Sequence, residues 1–364
     1  MIQGRITSPV PLVVVLAMAA MGATWLVTRY VLTHAIEKLI LDIPNERSSH
    51  TAPTPRGGGA AIALVVLALT AVLGVAGLVA ASIAVAVIGG GLMVATVGWL
   101  DDRRSVGAGA RAAVHFCAAF WVVFWIGGVP ELTWSGHSVH VGVVGSLLAV
   151  LAIVWATNLY NFMDGIDGLA SVEAITTGVA GAFILSLADS YGLASLAAIV
   201  AGTAAGFLVW NWMPARIFMG DVGSGFLGFV FGTLAVASER TSRVPWHVWL
   251  MLLLVFAADA TATLVRRVAR GDAWYAAHRR HAYQRLVQSG LSHAQVVRRV
   301  AVLNVLLAGL AVGVFVQPTL AWPMMLLGIL LVAAAYIAVE RRLGMWSVTQ
   351  HPDRKVVSNL GRAK

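Results

Sequence analysis

Apolar runs of seventeen or more residues recur along the whole chain, broken by short polar stretches. A helix rising 1.5 Å per residue needs about 20 such residues to cross a hydrocarbon layer of roughly 30 Å. The pattern predicts a first span at Val10 to Thr28 and two more across Ala60 to Leu100, with their junction near Gly77 to Ser82. Further spans follow at Ala112–Gly128, Val141–Thr157, Val172–Leu187, Leu193–Trp212 and Gly223–Ala237. The last three are Trp246–Val265, Val300–Val316 and Leu320–Val339, for a total of eleven. The predicted fold is all-α: a polytopic membrane helical bundle, one domain over 1–340 with a basic tail over 341–364. Alternating strands with polar lumen positions are absent, which argues against a membrane barrel. Ala17 and Ala19 give the first run a cleavage-like look. With ten more spans behind it, an uncleaved first helix is the expectation.

Composition agrees with this pattern, at 59% hydrophobic and only 11% charged residues, against about 25% charged in soluble domains. The formal charge of +9 comes from arginines clustered between spans. That is the pattern of cytoplasmic loops, so nucleic acid is not needed to explain it. With the N terminus periplasmic and the C terminus cytoplasmic, only Arg5, Arg240 and Arg243 of the 25 Lys and Arg residues fall outside. The cytoplasmic loops are then 33–59, 101–111, 158–171, 213–222 and 266–299. Cys117 is the single cysteine, which excludes an internal disulfide and a cysteine zinc site. No internal repeat is visible, which weakens a transporter built of inverted halves.

The predicted orientation puts every acidic cluster on one face. NLYNFMDGIDGLA, from Asn158 to Ala170, carries Asp164 and Asp167 three apart, each followed by glycine. On a helix that spacing puts both carboxylates on one side, and their mutual repulsion calls for a cation, a proton or a basic partner. A polar loop between spans is the plain alternative. Asp101 and Asp102 close the third span ahead of Arg103 and Arg104, which taken alone reads as a charged helix stop. Asp221, within Gly220–Asp221–Val222–Gly223–Ser224, precedes a span whose first amides could hold an anion; an ordinary capped start reads equally well. Five carboxylates on one face suit Mg2+, a hard ion that bridges phosphates. His278, Arg279 and His281 in HRRHAYQRL fit a phosphate, or simply lipid headgroups. His50 and Arg56 in the first loop offer similar groups, while His115 and His293 read as structural. Asp259 lies near the inner end of the ninth span, functional by default or paired with Arg266 or Arg267.

Five segments in order, DIPNERSSHTAPTPRGGG, GWLDDRRSVGAGAR, NLYNFMDGIDGLA, FMGDVGSGFLGF and HRRHAYQRL, resemble the polyprenyl-phosphate N-acetylhexosamine-1-phosphate transferases over about Asp42 to Leu286. The resemblance implies a multi-pass enzyme of the bacterial inner membrane with a cytoplasmic active site. It would move a sugar 1-phosphate from a UDP-N-acetylhexosamine to undecaprenyl phosphate, release UMP and start a cell-envelope glycan such as O-antigen. It implies Mg2+, with Mn2+ as a substitute. By motif match it implies Asp221 as metal ligand and Asp101, Asp102, Asp164 and Asp167 as catalytic carboxylates. Asn45, Arg56, Asn161, His278, Arg279 and His281 would contact substrate, with Gly220, Gly223, Ser224 and Asp259 in supporting roles. The implied partners are the two substrates and membrane lipids, with no nucleic acid and a homodimer as a possible assembly. HRRHAYQRL lacks the denser histidine runs of other enzymes in the family. It looks like the branch using 6-deoxy aminosugars such as N-acetylfucosamine or N-acetylquinovosamine beside N-acetylglucosamine. Asp101 or Asp102 is the expected group at the attacking lipid phosphate, although a monoester with a second pKa near 6 needs no strong base. Rival readings are a transporter or flippase for phosphorylated lipids or anionic solutes, and a noncatalytic scaffold.

Overall fold

The computed structural model describes residues 9–44, 52–272 and 278–347. Each predicted span lies under a helix. These are α1 (Val10–Glu37), α2 (Gly59–Val75), α3 (Ala81–Arg103), α4 (Ala108–Ile126), α5 (Gly142–Met163), α6 (Leu169–Leu187), α7 (Tyr191–Asn211) and α8 (Asp221–Thr241). They continue with α9 (Trp246–Leu252), α10 (Leu254–Ala269), α11 (Ala282–Gln288), α12 (His293–Val316) and α13 (Ala321–Arg342). Among the described residues nine helices are long and apolar enough to cross a membrane, and α9 with α10 makes a tenth crossing if counted as one. Helix α2, with 17 residues, is shorter. The fold is an all-α polytopic membrane bundle.

Two differences from the sequence reading have local causes. The ninth segment is not one straight helix, because α9 and α10 meet at an 81° bend. There the Thr177 hydroxyl of α6 donates to the Leu252 carbonyl at 3.3 Å, a side chain entering the backbone ladder where the axis turns. The polar connection before α5 is a hairpin, with β3 (Glu131–Trp134) antiparallel to β4 (His137–His140). Ser135 and Gly136 both have positive φ, at 48° and 80°, the backbone of a two-residue primed turn. A shorter pair, β1 (Leu41–Asp42) and β2 (Thr54–Pro55), ties down the loop between α1 and α2.

Bundle packing relies on small residues, as expected where lipid removes any hydrophobic preference for helix contact. Gly202 and Gly206 face α1 so closely that a Cβ would come within 2.1 Å of the Ala17 carbonyl oxygen and 2.2 Å of that of Met21. Helices α7 and α8 form the buried centre, with 72% and 89% of their apolar windows enclosed, whereas α12 and α13 stay at 22%. Central placement of α8 brings its first residue, Asp221, to where the ends of α3 and α5 converge. Gly206→Leu is therefore expected to separate α1 from α7 and lower the thermal midpoint in detergent by several degrees, as overpacking of about 1–3 kcal/mol would. An unchanged melting curve would show that the contact is loose.

Candidate active site

The site is built where α8 begins. Gly220 has φ 74°, and a Cβ there would lie 2.4 Å from Asp102 Oδ2. Only glycine meets both demands. Through this gap the buried Asp102, from the end of α3, reaches the N-terminus of α8. Its Oδ1 accepts from the Asp221 backbone amide at 3.0 Å. Its Oδ2 accepts from that of Val222 at 3.3 Å. A carboxylate from another helix thus caps the positive end of α8. Gly223 packs against Gly59 at backbone distance, and the Ser224 hydroxyl closes the first turn onto the Gly220 carbonyl at 3.1 Å. Each of these residues carries a structural duty.

Asp101 and Asp221 share one cation. Arg111 Nη1 lies 2.5 Å from Asp101 Oδ2 and 2.9 Å from Asp221 Oδ2. Asp101 also accepts from the Val106 amide at 2.6 Å. The sequence reading passed over Arg111. Its signal was position: the first turn of a helix disfavours a cation unless an acid holds it there. Asn161 faces the Asp221 carboxyl from α5. A cavity of about 480 Å³ beside Asp102 is lined by His34, Lys38, Arg56 and Arg103. The Arg56 backbone amide donates a hydrogen bond to the Ile40 carbonyl at 3.3 Å. Asn45 and His50 lie outside the described residues.

The Asp164–Asp167 stretch is a turn between α5 and α6, with Asp164 just past the last helical residue. Surrounding protein, then the charges of Asp221, Asp102 and Asp167, push the Asp164 carboxyl up to about 8. Asp167 faces another way, accepting from the Ala215 amide at 3.1 Å with His293 Nδ1 3.4 Å from its Oδ2. His293, read as structural, thus anchors a candidate site residue. Asp259 does not pair with Arg266 or Arg267. Its oxygens accept from the amides of Ala282 at 2.8 Å and Tyr283 at 3.2 Å, with His281 Nδ1 at 3.5 Å. Arg266 instead grips Glu340 with two bonds of 2.8 and 3.0 Å, and Arg267 lies 3.9 Å from Asp272.

The His278 and His281 rings stand 4.8 Å apart. Burial, then the charges of His281, Arg267 and Arg280, push His278 down to about 3, so it is neutral before substrate arrives. Tyr283 joins this loop to the acidic turn through a 3.2 Å bond from its hydroxyl to the Phe162 carbonyl. Arg279 lies in the same loop, its carbonyl accepting from Gln288 at 2.9 Å. The arrangement has two flanks, Asp101–Asp102–Asp221–Arg111 and Asp259–His278–His281, with Asp164 between them.

Comparison with known proteins fits this geometry. Residues 83–239, which hold all five clustered aspartates and Arg111, match the family described as glycosyl transferase family 4. A probable undecaprenyl-phosphate N-acetylglucosaminyl 1-phosphate transferase of Bacillus subtilis is 28% identical over 82% of this chain and 82% of its own. The decaprenyl-phosphate N-acetylglucosaminephosphotransferase of Mycolicibacterium smegmatis is 28% identical over 87% of this chain and 85% of its own. A phospho-N-acetylmuramoyl-pentapeptide-transferase of Streptococcus suis is 29% identical over 47% and 53% respectively. At the family level the chain matches the polyprenyl-phosphate N-acetylhexosamine-1-phosphate transferase superfamily.

This is a superfamily of phosphotransferases, and its members suggest dependence on a divalent metal. Among the described residues no three His, Cys, Asp or Glu side chains are grouped to enclose a metal by themselves. Mg2+ does not demand such a cage, since one or two carboxylates with substrate phosphates and waters suffice. The donor set here fits: hard carboxylate oxygens of Asp101 and Asp221, already bridged by a cationic Arg111, with Asp164 beside them.

Asp164 gives a pH signature. Folded, it keeps a proton that the unfolded chain releases near its ordinary 3.8. Stability therefore falls as pH rises from about 4 to about 8. A cation that expels this proton stabilises more at pH of about 8.5 than at about 6, and Asp164→Asn flattens both trends. Melting curves with and without Mg2+ at the two pH values check this, and an equal Mg2+ shift in wild type at both would contradict it.

Proposed function

We propose that the protein transfers N-acetylhexosamine 1-phosphate from a UDP-sugar to undecaprenyl phosphate, at the cytoplasmic face of a bacterial inner membrane. The observation that carries this reading is the meeting of Asp101, Asp102, Asp221 and Arg111 at one helix N-terminus, beside a basic cavity. An anionic donor and an anionic acceptor need that combination. Guanidinium and ammonium groups draw the phosphates in, and carboxylates hold the cation that lets them approach. Loop charge supports a cytoplasmic site, a periplasmic N terminus and eleven crossings, with α2 counted as one.

The acceptor chain has a place. An apolar groove of about 450 Å³ runs along α5, α8 and the bent α9–α10 pair, reaching Leu159 and Thr261 at the aspartate end. Leu159 precedes Asp164 by five residues, about 7.5 Å of helix. A lipid in this groove presents its phosphate to the acidic turn.

In the reaction a lipid phosphate oxygen bonds to the β-phosphorus of the UDP-sugar. The bond from that phosphorus to the bridging oxygen breaks, and the electron pair leaves on UMP. Mg2+, when bound by Asp221 and Asp101 or Asp164, supplies charge neutralisation between the phosphates. Asp102, with both oxygens engaged by α8 amides, positions Asp221. Arg111 keeps Asp101 and Asp221 adjacent until substrate enters. His278 and His281 can each donate a hydrogen bond to the diphosphate. The relatives matched over four-fifths of the chain carry N-acetylglucosamine in their names. We therefore place that sugar first, with 6-deoxy aminosugars as the competing donors.

Purified protein with undecaprenyl phosphate, Mg2+ and a panel of UDP-N-acetylhexosamines is expected to release UMP and give a diphosphate-linked lipid with at least one donor. Asp221→Asn is expected to lower turnover by about 10³-fold or more, in the range of other lost charge stabilisers. Full turnover in that variant, or vectorial solute uptake without UMP, would overturn the assignment.

A further inference from the structure

A second polar cavity, of about 600 Å³, lies at the end of the bundle away from the aspartates, between the β3–β4 hairpin and the turn joining α8 to α9. Arg240 and Arg243 line it. Among the described residues neither guanidinium makes an ion pair or a hydrogen bond, whereas Arg111, Arg266 and Arg285 each bind a carboxylate. Of the two acids on its wall, Glu131 is exposed at the start of β3. The buried Glu239 is already engaged, with Oε1 accepting from the Thr133 amide at 2.7 Å and Oε2 from that of Trp246 at 2.6 Å.

His247 supplies an independent pointer. It is 1% exposed, its ring lies 4.4 Å from that of Trp134, and it lines the cavity with Nδ1 lacking any partner among the described residues. A buried polar atom left unpaired forfeits its hydration without return, and a ligand in the cavity would supply the missing partner. Two unpaired guanidinium groups and an imidazole suit a phosphate.

The cavity also adjoins the apolar groove. Glu239 lines both, and at Val129–Pro130, Leu132–Thr133 and Pro245–Trp246 one residue faces the groove while its neighbour faces the cavity. A ligand using both would have an anionic head and a long apolar chain. Charge distribution points the same way. Arg240 and Arg243 are two of only three basic residues that the loop-charge orientation leaves on this face, and both converge on one cavity.

We propose that this cavity binds the phosphate of an isoprenoid lipid whose chain lies in the adjoining groove, giving the groove a phosphate site at each end. The isoprenoid identity rests on the transferase reading above; the cavity's preference for a lipid-borne phosphate does not. Such a site would let the protein take up its acceptor from the leaflet opposite the chemistry.

The test uses full-length protein in a nonionic detergent and a polyprenyl phosphate carrying a photoactivatable diazirine beside the phosphate. After irradiation, labelled peptides are mapped by mass spectrometry. Label is expected on residues 131–138 or 239–247 as well as near the aspartates. The double variant R240A/R243A should lose the first label about tenfold, keeping the second label and UMP release. R240K/R243K should retain part of it, since charge survives while the fork is lost. Both arginines are exposed, and retained UMP release reports an intact fold. No label at the hairpin in wild type, or equal label in R240A/R243A, would overturn the proposal. Displacement of the label by excess inorganic phosphate alone would reveal a free-anion site. Equal displacement by phosphatidylglycerol would reveal a general lipid site. Either result would overturn the isoprenoid assignment. Failure of UMP release in wild type would instead strike the transferase reading, leaving the label pattern to be judged by itself.

Discussion

Buried carboxylates capping helix N-termini set the geometry of this protein's aspartate end. Asp102 of α3 caps α8, and Asp259 of α10 caps α11. Each cap meets two needs, since a carboxylate leaving water requires donors and the first amides of a helix require an acceptor. Because donor and acceptor belong to different helices, the bond also fixes where those helices stand. With α8 so placed, Asp221 projects beside Asp101, and one arginine spans both. Burial, with the charges of Asp221, Asp102 and Asp167 beside it, leaves Asp164 protonated and uncharged at neutral pH.

Most of the architecture could be read from the chain because membrane crossing leaves a strong, local signal. The small-residue contact of α7 with α1 is visible as Gly202 and Gly206 at four-residue spacing. The bend at Leu253 had no such signal, as neither proline nor glycine marks it and its cause, Thr177, lies 75 residues away. The hairpin was announced by Ser135–Gly136, yet the polar residues around it read as an ordinary loop. In the site, acidic motifs at span ends stood out against an apolar background. Their pairings did not: Asp102 with α8, Asp167 with His293 and Asp259 with α11 join residues distant in sequence. Arg111 was hidden among the many arginines of basic loops.

The proposed function rests on unlike surfaces at the two ends of one groove. The aspartate end gathers carboxylates, Arg111 and a basic cavity, a setting for two phosphates and a cation. The groove between α5, α8 and the bent pair is apolar nearly throughout, with a volume of about 450 Å³. At the hairpin end Glu239 faces both the groove and the polar cavity, and its two bonds to backbone amides latch β3 to the start of α9. The bend at Leu253 turns α10 from the line of α9, and residues of both helices line the groove.

The central claim is that the α8 N-terminus and its surrounding carboxylates hold one divalent cation together with the donor's phosphates. Electron paramagnetic resonance of Mn2+ titrated into the purified protein with UDP tests it most directly, through hyperfine coupling to nucleotide phosphorus. One Mn2+ per chain is expected, coupled to phosphorus when UDP is present and lost in Asp221→Asn. Mn2+ bound equally well by that variant, or bound without any phosphorus coupling, would contradict it.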